Sequence, residues 1–225
     1  MAEEGSKPNL SQALLEKESL EKPTCYNMRT IQAPSLWYPF NDQSIENNRD
    51  IIMIKVLLVN QYERTRMQSR NVEKVVNHLV TSMKDSDWRV LHSGNINEEY
   101  FSIVKRIATD HCAKSNIKND NNDNYLSFAT KFCGSHNQLA PFFDSYCWTA
   151  LAYWRHKDKK PTLIKQDYEA YVEAFKQLQN EKSLSDFTLR HIEYCVWNEV
   201  RKKITDQKKS GNDHCAICAA HATEI

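Results

Sequence analysis

Apolar side chains recur every three to four residues along several stretches of this chain, which is the pattern of an amphipathic α-helix. Residues 44–64 predict one helix, with a core-facing stripe of Ile51, Ile54, the stem of Lys55, Leu58 and Tyr62. Residues 71–84 predict a second, with a stripe of Val72, Val75, Val76, Leu79 and Met83. Residues 97–113 predict a third, with Asn97 as N-cap and a buried face of Phe101, Val104, Ile107 and Ala108. Further helices are predicted at 125–136, 146–155, 166–179 and 185–203.

The composition agrees with a helical fold. The chain has 225 residues, 10% aromatic side chains and only four glycines, whereas hairpins and sandwiches use glycine at their turns. The fold class is therefore predicted to be all-α, as a compact multi-helix bundle. One domain is predicted over residues 36–205, between a flexible N-terminal arm (1–35) and a disordered tail (206–225). The polar tract "NIKNDNNDN" at 116–124 is predicted to be a loop.

Charge and cysteine usage limit the partners and the compartment. The net charge is +1, so a nucleic-acid surface would have to be a local basic patch. Seven cysteines, an odd number, and the lack of an N-terminal apolar leader favour a reduced, cytoplasmic compartment. No apolar run reaches the length of a membrane span, so a soluble monomer without a membrane partner is expected.

One lysine and one aspartate stand at the two ends of the apolar stretch "SFATKFCGSHNQLAPFFDSYCW", residues 127–148. On a helical wheel, Lys131 falls on the face of Ser127, Thr130 and Gly134, opposite the aromatic residues, so it is predicted to face away from the core. Small neighbours on that face allow another surface to approach closely. An ordinary exposed lysine is the alternative reading.

Asp144 is predicted to be the N-cap of the next helix, because its carboxylate can accept bonds from free backbone N–H groups of the first turn. The helix dipole also favours the ionised carboxylate at this position. Capping alone would account for the aspartate, so a functional role and a purely structural one both stay open.

Together these residues resemble the core of the helix-hairpin-helix DNA glycosylases, especially the 8-oxoguanine glycosylase-like branch. "P-F-F-D-S" at Pro141 to Ser145 matches the family's signature of proline, two apolar residues, aspartate and a small hydroxyl. The chain also looks like short bacterial proteins that share "SFA-K" and "P-x-x-DS" segments, a "LVNQYERT" helix and a terminal "IEYCVWNEV" helix. The family's glycine-rich hairpin is not evident, and the tract ending "NNDNYLS" stands in its place.

The resemblance implies a glycosylase, with possible AP lyase activity, that flips a modified base out of double-stranded DNA. Lys131 would be the nucleophile and Asp144 the electrostatic and acid–base partner, without cofactor or metal. The residues expected to border the base are Phe132, His136, Phe142, Phe143 and Ser145. The candidate contacts to the DNA backbone are Arg64, Arg66, Arg70 and Lys157. Packing and solvated surface are the structural alternatives for these two groups.

Two other functions stay open from the sequence. "RIATDH" places Arg106 and His111 at the spacing of HEPN-type ribonucleases, although so loose a spacing is expected about once by chance. The fold can also be retained as a non-catalytic module that binds DNA or protein. The tail "DHCAICAAH" offers His214, Cys215, Cys218 and His221, but four ligands in eight residues are too cramped for an ordinary structural zinc site.

Overall fold

The computed structural model describes residues 38–41, 48–63, 65, 67, 69–113, 125–157 and 167–209, and this part of the chain is helical without a strand. The all-α prediction is therefore confirmed. The helices are α1 (Tyr38–Asn41), α2 (Arg49–Tyr62), α3 (Ser69–Ser82), α4 (Asp85–His92), α5 (Glu98–Ala113), α6 (Leu126–His136), α7 (Ser145–Lys157), α8 (Tyr168–Glu181) and α9 (Leu189–Lys209).

Two helices follow the predicted pattern closely. The whole predicted stripe of α3 is buried: Val72, Val75, Val76, Leu79 and Met83. Helix α5 begins after Asn97, whose side-chain Oδ1 accepts the Tyr100 N–H at 3.1 Å. Such a bond satisfies one of the N–H groups that a helix start leaves without an intrahelical partner, so the predicted N-cap is confirmed.

The predicted face of α2 is wrong except at Lys55, which is buried as predicted. Its buried residues are Ile52, Lys55, Val56 and Val59. By contrast, Ile54 and Tyr62 of the predicted stripe are 43% and 51% exposed. Apolar side chains occur on every side of this helix, so their spacing alone does not select the face that packs.

Helix α6 lies at the centre of the first half of the bundle, in contact with α1, α2, α4 and α5. In the second half, α7 and α8 both pack on α9. The buried apolar residues of the two halves form one continuous core. The segment between α6 and α7 connects the halves, and it carries the proline and the aspartate of the "P-F-F-D-S" motif.

Two tyrosines of α8 fasten this connecting segment to the second half. The Tyr168 hydroxyl donates to the carbonyl of Pro141 at 2.6 Å, and the Tyr171 hydroxyl donates to the carbonyl of Phe142 at 2.9 Å. The Tyr168 ring also contacts Phe101 of α5, with ring centres 5.9 Å apart. The turn before Asp144 is therefore held between the two halves.

Several predictions concern residues outside the described ranges. They include the N-terminal arm (1–35), the polar loop (116–124) and the part of the tail beyond the end of α9, 210–225. Within the described ranges, no helix combines the length and the apolar character that crossing a membrane requires.

Candidate functional site

Lys131 lies in the middle of α6, and its side chain is only 9% exposed. The prediction that its face of the helix points away from the core is wrong, because Thr130 and Gly134 on the same face are buried too. The cause is the connecting segment of residues 140–143, which folds back over this face.

Small side chains on α6 make that return possible. The Phe143 backbone N–H donates to the Thr130 hydroxyl at 3.0 Å. The Phe142 ring lies so close to Gly134 that a Cβ atom at the glycine would be 2.7 Å from ring Cε1. The surface that packs against these small residues is therefore the chain's own turn, on the same face of α6 as Lys131.

The Lys131 amine is bound at the end of another helix. Its Nζ donates to the main-chain carbonyl of Glu63 at 3.0 Å, and Glu63 is the C-cap residue of α2. Burial lowers the pKa of Lys131, while the carboxylates of Asp144 and Glu63 act in the opposite direction. The nucleophile proposed from the sequence is thus a desolvated amine among carboxylates.

Asp144 is the N-cap of α7. Its side-chain Oδ1 accepts the Tyr146 N–H at 2.8 Å, and its carbonyl accepts the Trp148 N–H at 2.9 Å. These bonds fix the carboxylate on the first turn of the helix. Among the charges that raise the pKa of Lys131, Asp144 is the strongest. The structure thus places the predicted aspartate where its charge acts on the pKa of the predicted lysine, while the amine itself is hydrogen-bonded to the Glu63 carbonyl.

Helix α9 adds two charged residues that the sequence pattern did not single out. Arg190 and Glu193 form an ion pair with Nη1 and Oε2 3.5 Å apart, and both are buried, with 6% exposure each. The Arg190 Cζ lies 2.8 Å from the centre of the Phe142 ring. Glu193 further raises the pKa of Lys131, and Arg190 lowers it. An Arg-x-x-Glu spacing on a helix normally indicates an exposed pair, so only the packing of α9 identifies this one.

The residues predicted to border a base fall into two groups. Phe142 is buried, Phe143 is half-buried with its ring 5.1 Å from that of Tyr171, and Ser145 is exposed at the start of α7. These three lie in the turn beside Asp144. Phe132 and His136 instead lie in the core of the first half, where both rings contact the rings of Phe40 and Trp88.

The side chains predicted to contact DNA phosphates lie outside the described part of the structure. Arg64 and Arg66 are not among the described residues, and Arg70 in α3 and Lys157 in α7 are described in their backbone only. The Cys/His tail at 214–221 also lies outside. Among the described residues, no three His, Cys, Asp or Glu side chains come together as a metal site would require.

The two residues of the ribonuclease alternative lie on α5. The Arg106 guanidinium is 2.7 Å from the Asp87 carboxylate of α4, so it is bound in an ion pair between neighbouring helices. The His111 side chain is outside the description.

Comparison with known proteins gives the family. The model of the HI_0787_N family, described as an N-terminal domain, matches residues 16–140, more than half of the chain. The chain belongs to the HI_0787_N family. It is also 32% identical over 74 residues to a protein of Haemophilus influenzae whose printed name is "Uncharacterized protein". That match covers 32% of this chain, which thus spans 35% of the length of the relative. No solved structure matches.

The HI_0787_N match ends at Ala140, one residue before the "P-F-F-D-S" motif. Lys131 therefore lies inside the matched region, whereas Asp144, Arg190 and Glu193 lie beyond it. The candidate site combines Lys131 and Glu63 from the matched part of the chain with Asp144, Arg190 and Glu193 from the part that follows.

A second buried lysine lies within the HI_0787_N region. Lys55 of α2 is fully buried, and its Nζ lies 5.6 Å from the Phe40 ring centre and 5.2 Å from that of Trp88. Such distances are typical of cation–π contacts. In the sequence, Lys55 is a lone lysine in an apolar run, and the apolar periodicity assigned only its aliphatic stem to the core-facing stripe. Burial, and the nearby charge of Lys55, lower the pKa of His136 well below its usual range.

Proposed function

We propose that this protein is a DNA glycosylase that excises a modified base, with Lys131 as nucleophile and Asp144 as its electrostatic and acid–base partner. The observation that supports this best is the Lys131 amine, which is desolvated and electrostatically coupled to a carboxylate fixed on a helix start. A lysine becomes a nucleophile when burial increases its neutral fraction. The N-capped aspartate has the fixed geometry that electrostatic stabilisation of a developing cation requires.

In the proposed reaction, Lys131 and Asp144 first release the base and then cleave the DNA strand. As the N-glycosidic bond breaks, its electron pair leaves with the base, which takes up a proton from water, and positive charge develops on the sugar. The Asp144 carboxylate stabilises that charge, and the lone pair of Lys131 Nζ forms a bond to C1′. The Asp144 carboxylate takes a proton from Nζ and passes it to O4′ as the C1′–O4′ bond breaks, which gives a Schiff base between Nζ and C1′. Asp144 then takes a proton from C2′, the C2′–H electron pair forms a C2′–C3′ double bond, and the C3′–O bond breaks with release of the 3′ phosphate.

A substrate has to displace existing contacts before it reaches the Lys131 amine. Lys131 Nζ now donates to the Glu63 carbonyl, and the turn of residues 140–143 covers its helix face. A flipped nucleotide therefore has to replace that hydrogen bond and shift the turn before C1′ reaches the amine. In this proposal the partner is double-stranded DNA, the protein acts as a monomer in the cytoplasm, and Arg64, Arg66, Arg70 and Lys157 bind its phosphates in place of the glycine-rich hairpin.

Borohydride trapping on a panel of duplexes with damaged or modified bases, and with an abasic site, tests the proposal. We expect a covalent adduct with the wild-type chain that Lys131→Met abolishes, because methionine keeps the buried stem and removes the amine. The control is Lys74→Ala, which removes an exposed lysine of α3. Circular dichroism establishes that all three chains are folded.

Three outcomes would overturn the proposal. An adduct that persists in folded Lys131→Met would assign the nucleophile elsewhere. Absence of any adduct on the whole panel, with duplex binding retained, would favour the non-catalytic binding module. RNA cleavage that His111→Ala abolishes and Lys131→Met leaves intact would establish the ribonuclease.

A further inference from the structure

We infer that Arg190 and Glu193 of α9 are positioning residues, which hold the turn before α7, and with it the start of α7 at Asp144, on the face of α6 that carries Lys131. The inference rests on the proposed function, because it gives these two residues a task in that reaction. Neither residue belongs to the "P-F-F-D-S" motif, although Glu193 lies in the "IEYCVWNEV" segment of α9.

The burial of this ion pair is the first argument. Removing two charges from water costs more than their mutual attraction returns unless further contacts compensate, so a buried pair is a poor way to gain stability. The same spacing on α8 gives the ordinary result: Glu173 and Lys176 form a pair that is 55% and 42% exposed. The Arg190–Glu193 pair is 7% exposed on each side chain. The burial of this pair is therefore weak evidence for a gain in stability, and the contacts that compensate it connect α9 to the turn and to α7.

Arg190 reaches the turn through an aromatic ring. Its guanidinium carbon lies 2.8 Å from the centre of the Phe142 ring, and Phe142 in turn lies against Gly134 of α6. Gly134 is three residues after Lys131, so it lies on the same face of the helix. A continuous stack thus runs from α9 through the turn to the helix that carries the nucleophile.

Glu193 reaches the other end of the turn. Both its carbonyl and its carboxylate lie within hydrogen-bonding range of the Cys147 thiol, at 3.5 and 3.7 Å from Sγ. Cys147 is in the first turn of α7, three residues after the Asp144 cap. The start of α7 is therefore tied to α9 at the point where the carboxylate is displayed.

The two residues also act on the Lys131 amine with opposite signs. The charges that face it are Glu63 at the end of α2, Asp144 at the start of α7, and Arg190 and Glu193 from α9. Replacing Glu193 by glutamine removes an attractive charge, which lowers the pKa of Lys131. Replacing Arg190 by methionine removes a repulsive charge, which raises it.

Competitive acetylation with trace acetic anhydride, followed by peptide mass spectrometry, measures the reactivity of Lys131 in the full chain without DNA. At fixed pH below the pKa, we expect Glu193→Gln to raise Lys131 acetylation roughly threefold and Arg190→Met to lower it by a similar factor, because the neutral amine is the form that reacts. The pH dependence of borohydride trapping should shift to lower pH in Glu193→Gln and to higher pH in Arg190→Met. The matched control is Glu173→Gln, which breaks the exposed pair of the same spacing.

Folded variants that both keep the wild-type pH dependence would overturn the inference, as would shifts in the same direction. If the wild-type chain forms no adduct but the two variants still shift Lys131 acetylation in opposite directions, the glycosylase proposal fails and the arrangement of charges around Lys131 is supported. The two failures are therefore distinguishable.

Discussion

The Phe142 ring lies so close to Gly134 that a Cβ atom at the glycine would be 2.7 Å from ring Cε1 and 3.0 Å from Cδ1. We expect Gly134→Ala to reduce the free energy of unfolding by roughly 1 kcal/mol, because overpacking costs about 1–3 kcal/mol and the helix propensity of alanine returns only part of it. Urea denaturation at neutral pH measures the change.

Ser127→Ala is the control for that substitution, since it introduces alanine on the same helix at a half-buried residue. It should leave the free energy of unfolding within about 0.5 kcal/mol of the wild type. Equal stability of Gly134→Ala and the wild type would contradict the close packing of the turn on α6.

Asp144 combines a capping bond with a charge, and two substitutions separate these roles. Asp144→Ala should lower the free energy of unfolding by about 1 kcal/mol, because the Tyr146 N–H loses its acceptor. Asp144→Asn keeps a good N-cap and should be nearly as stable as the wild type. If the proposed function is right, borohydride adducts are lost in both. Full adduct formation by Asp144→Asn would limit the aspartate to capping.

His136 makes the stability depend on pH. Burial, and then the charge of Lys55, lower its pKa well below its usual range, so the unfolded chain takes up this proton first as the pH falls. The contribution is therefore fully present above about pH 6.5 and is lost as the pH falls from there toward the folded pKa, with a slope of up to about 1.4 kcal/mol per pH unit. His136→Phe should flatten that slope in urea titrations between about pH 7.5 and 5.5. A variant with the wild-type slope would refute this.

The described cysteines should differ in their reaction with a maleimide. Burial raises the pKa of the Cys133 and Cys147 thiols above the usual range, and it raises the pKa of the less buried Cys195 to about 11. Because the thiolate is the reactive form, native labelling at about pH 8 should mark Cys195 slowly and leave the other two unmodified. Peptide mass spectrometry reports each site, with urea-unfolded protein as the control. Rapid native labelling of Cys147 would contradict its burial against Glu193.

Where the apolar residues of a helix form one stripe, as in α3, the sequence was enough to predict which face is buried. The sequence also predicted the Asn97 cap of α5, because the capping bond is local. In α2 it was not enough, because apolar side chains surround the helix and Ile54 and Tyr62 remain exposed. Apolar periodicity predicts that a segment is helical, but tertiary contacts determine which face of the helix is buried.

The candidate site shows the same limit. A helical wheel placed Lys131 on the face of the small residues, and this placement is correct. The burial of that face depends on a turn without periodicity, which returns over the helix through Phe142 and Phe143. Likewise, Arg190–Glu193 and Lys176–Glu173 have the same spacing, and only the position of each helix in the bundle separates the buried pair from the exposed one.

The hydroxyl groups of Tyr168 and Tyr171 bind two successive carbonyls of the turn from 27 and 29 residues downstream. Grafting residues 127–148 into another helical scaffold would therefore transfer the lysine and the aspartate without the donors that shape the loop between them. A transplant that is meant to keep the geometry has to carry α8 as well.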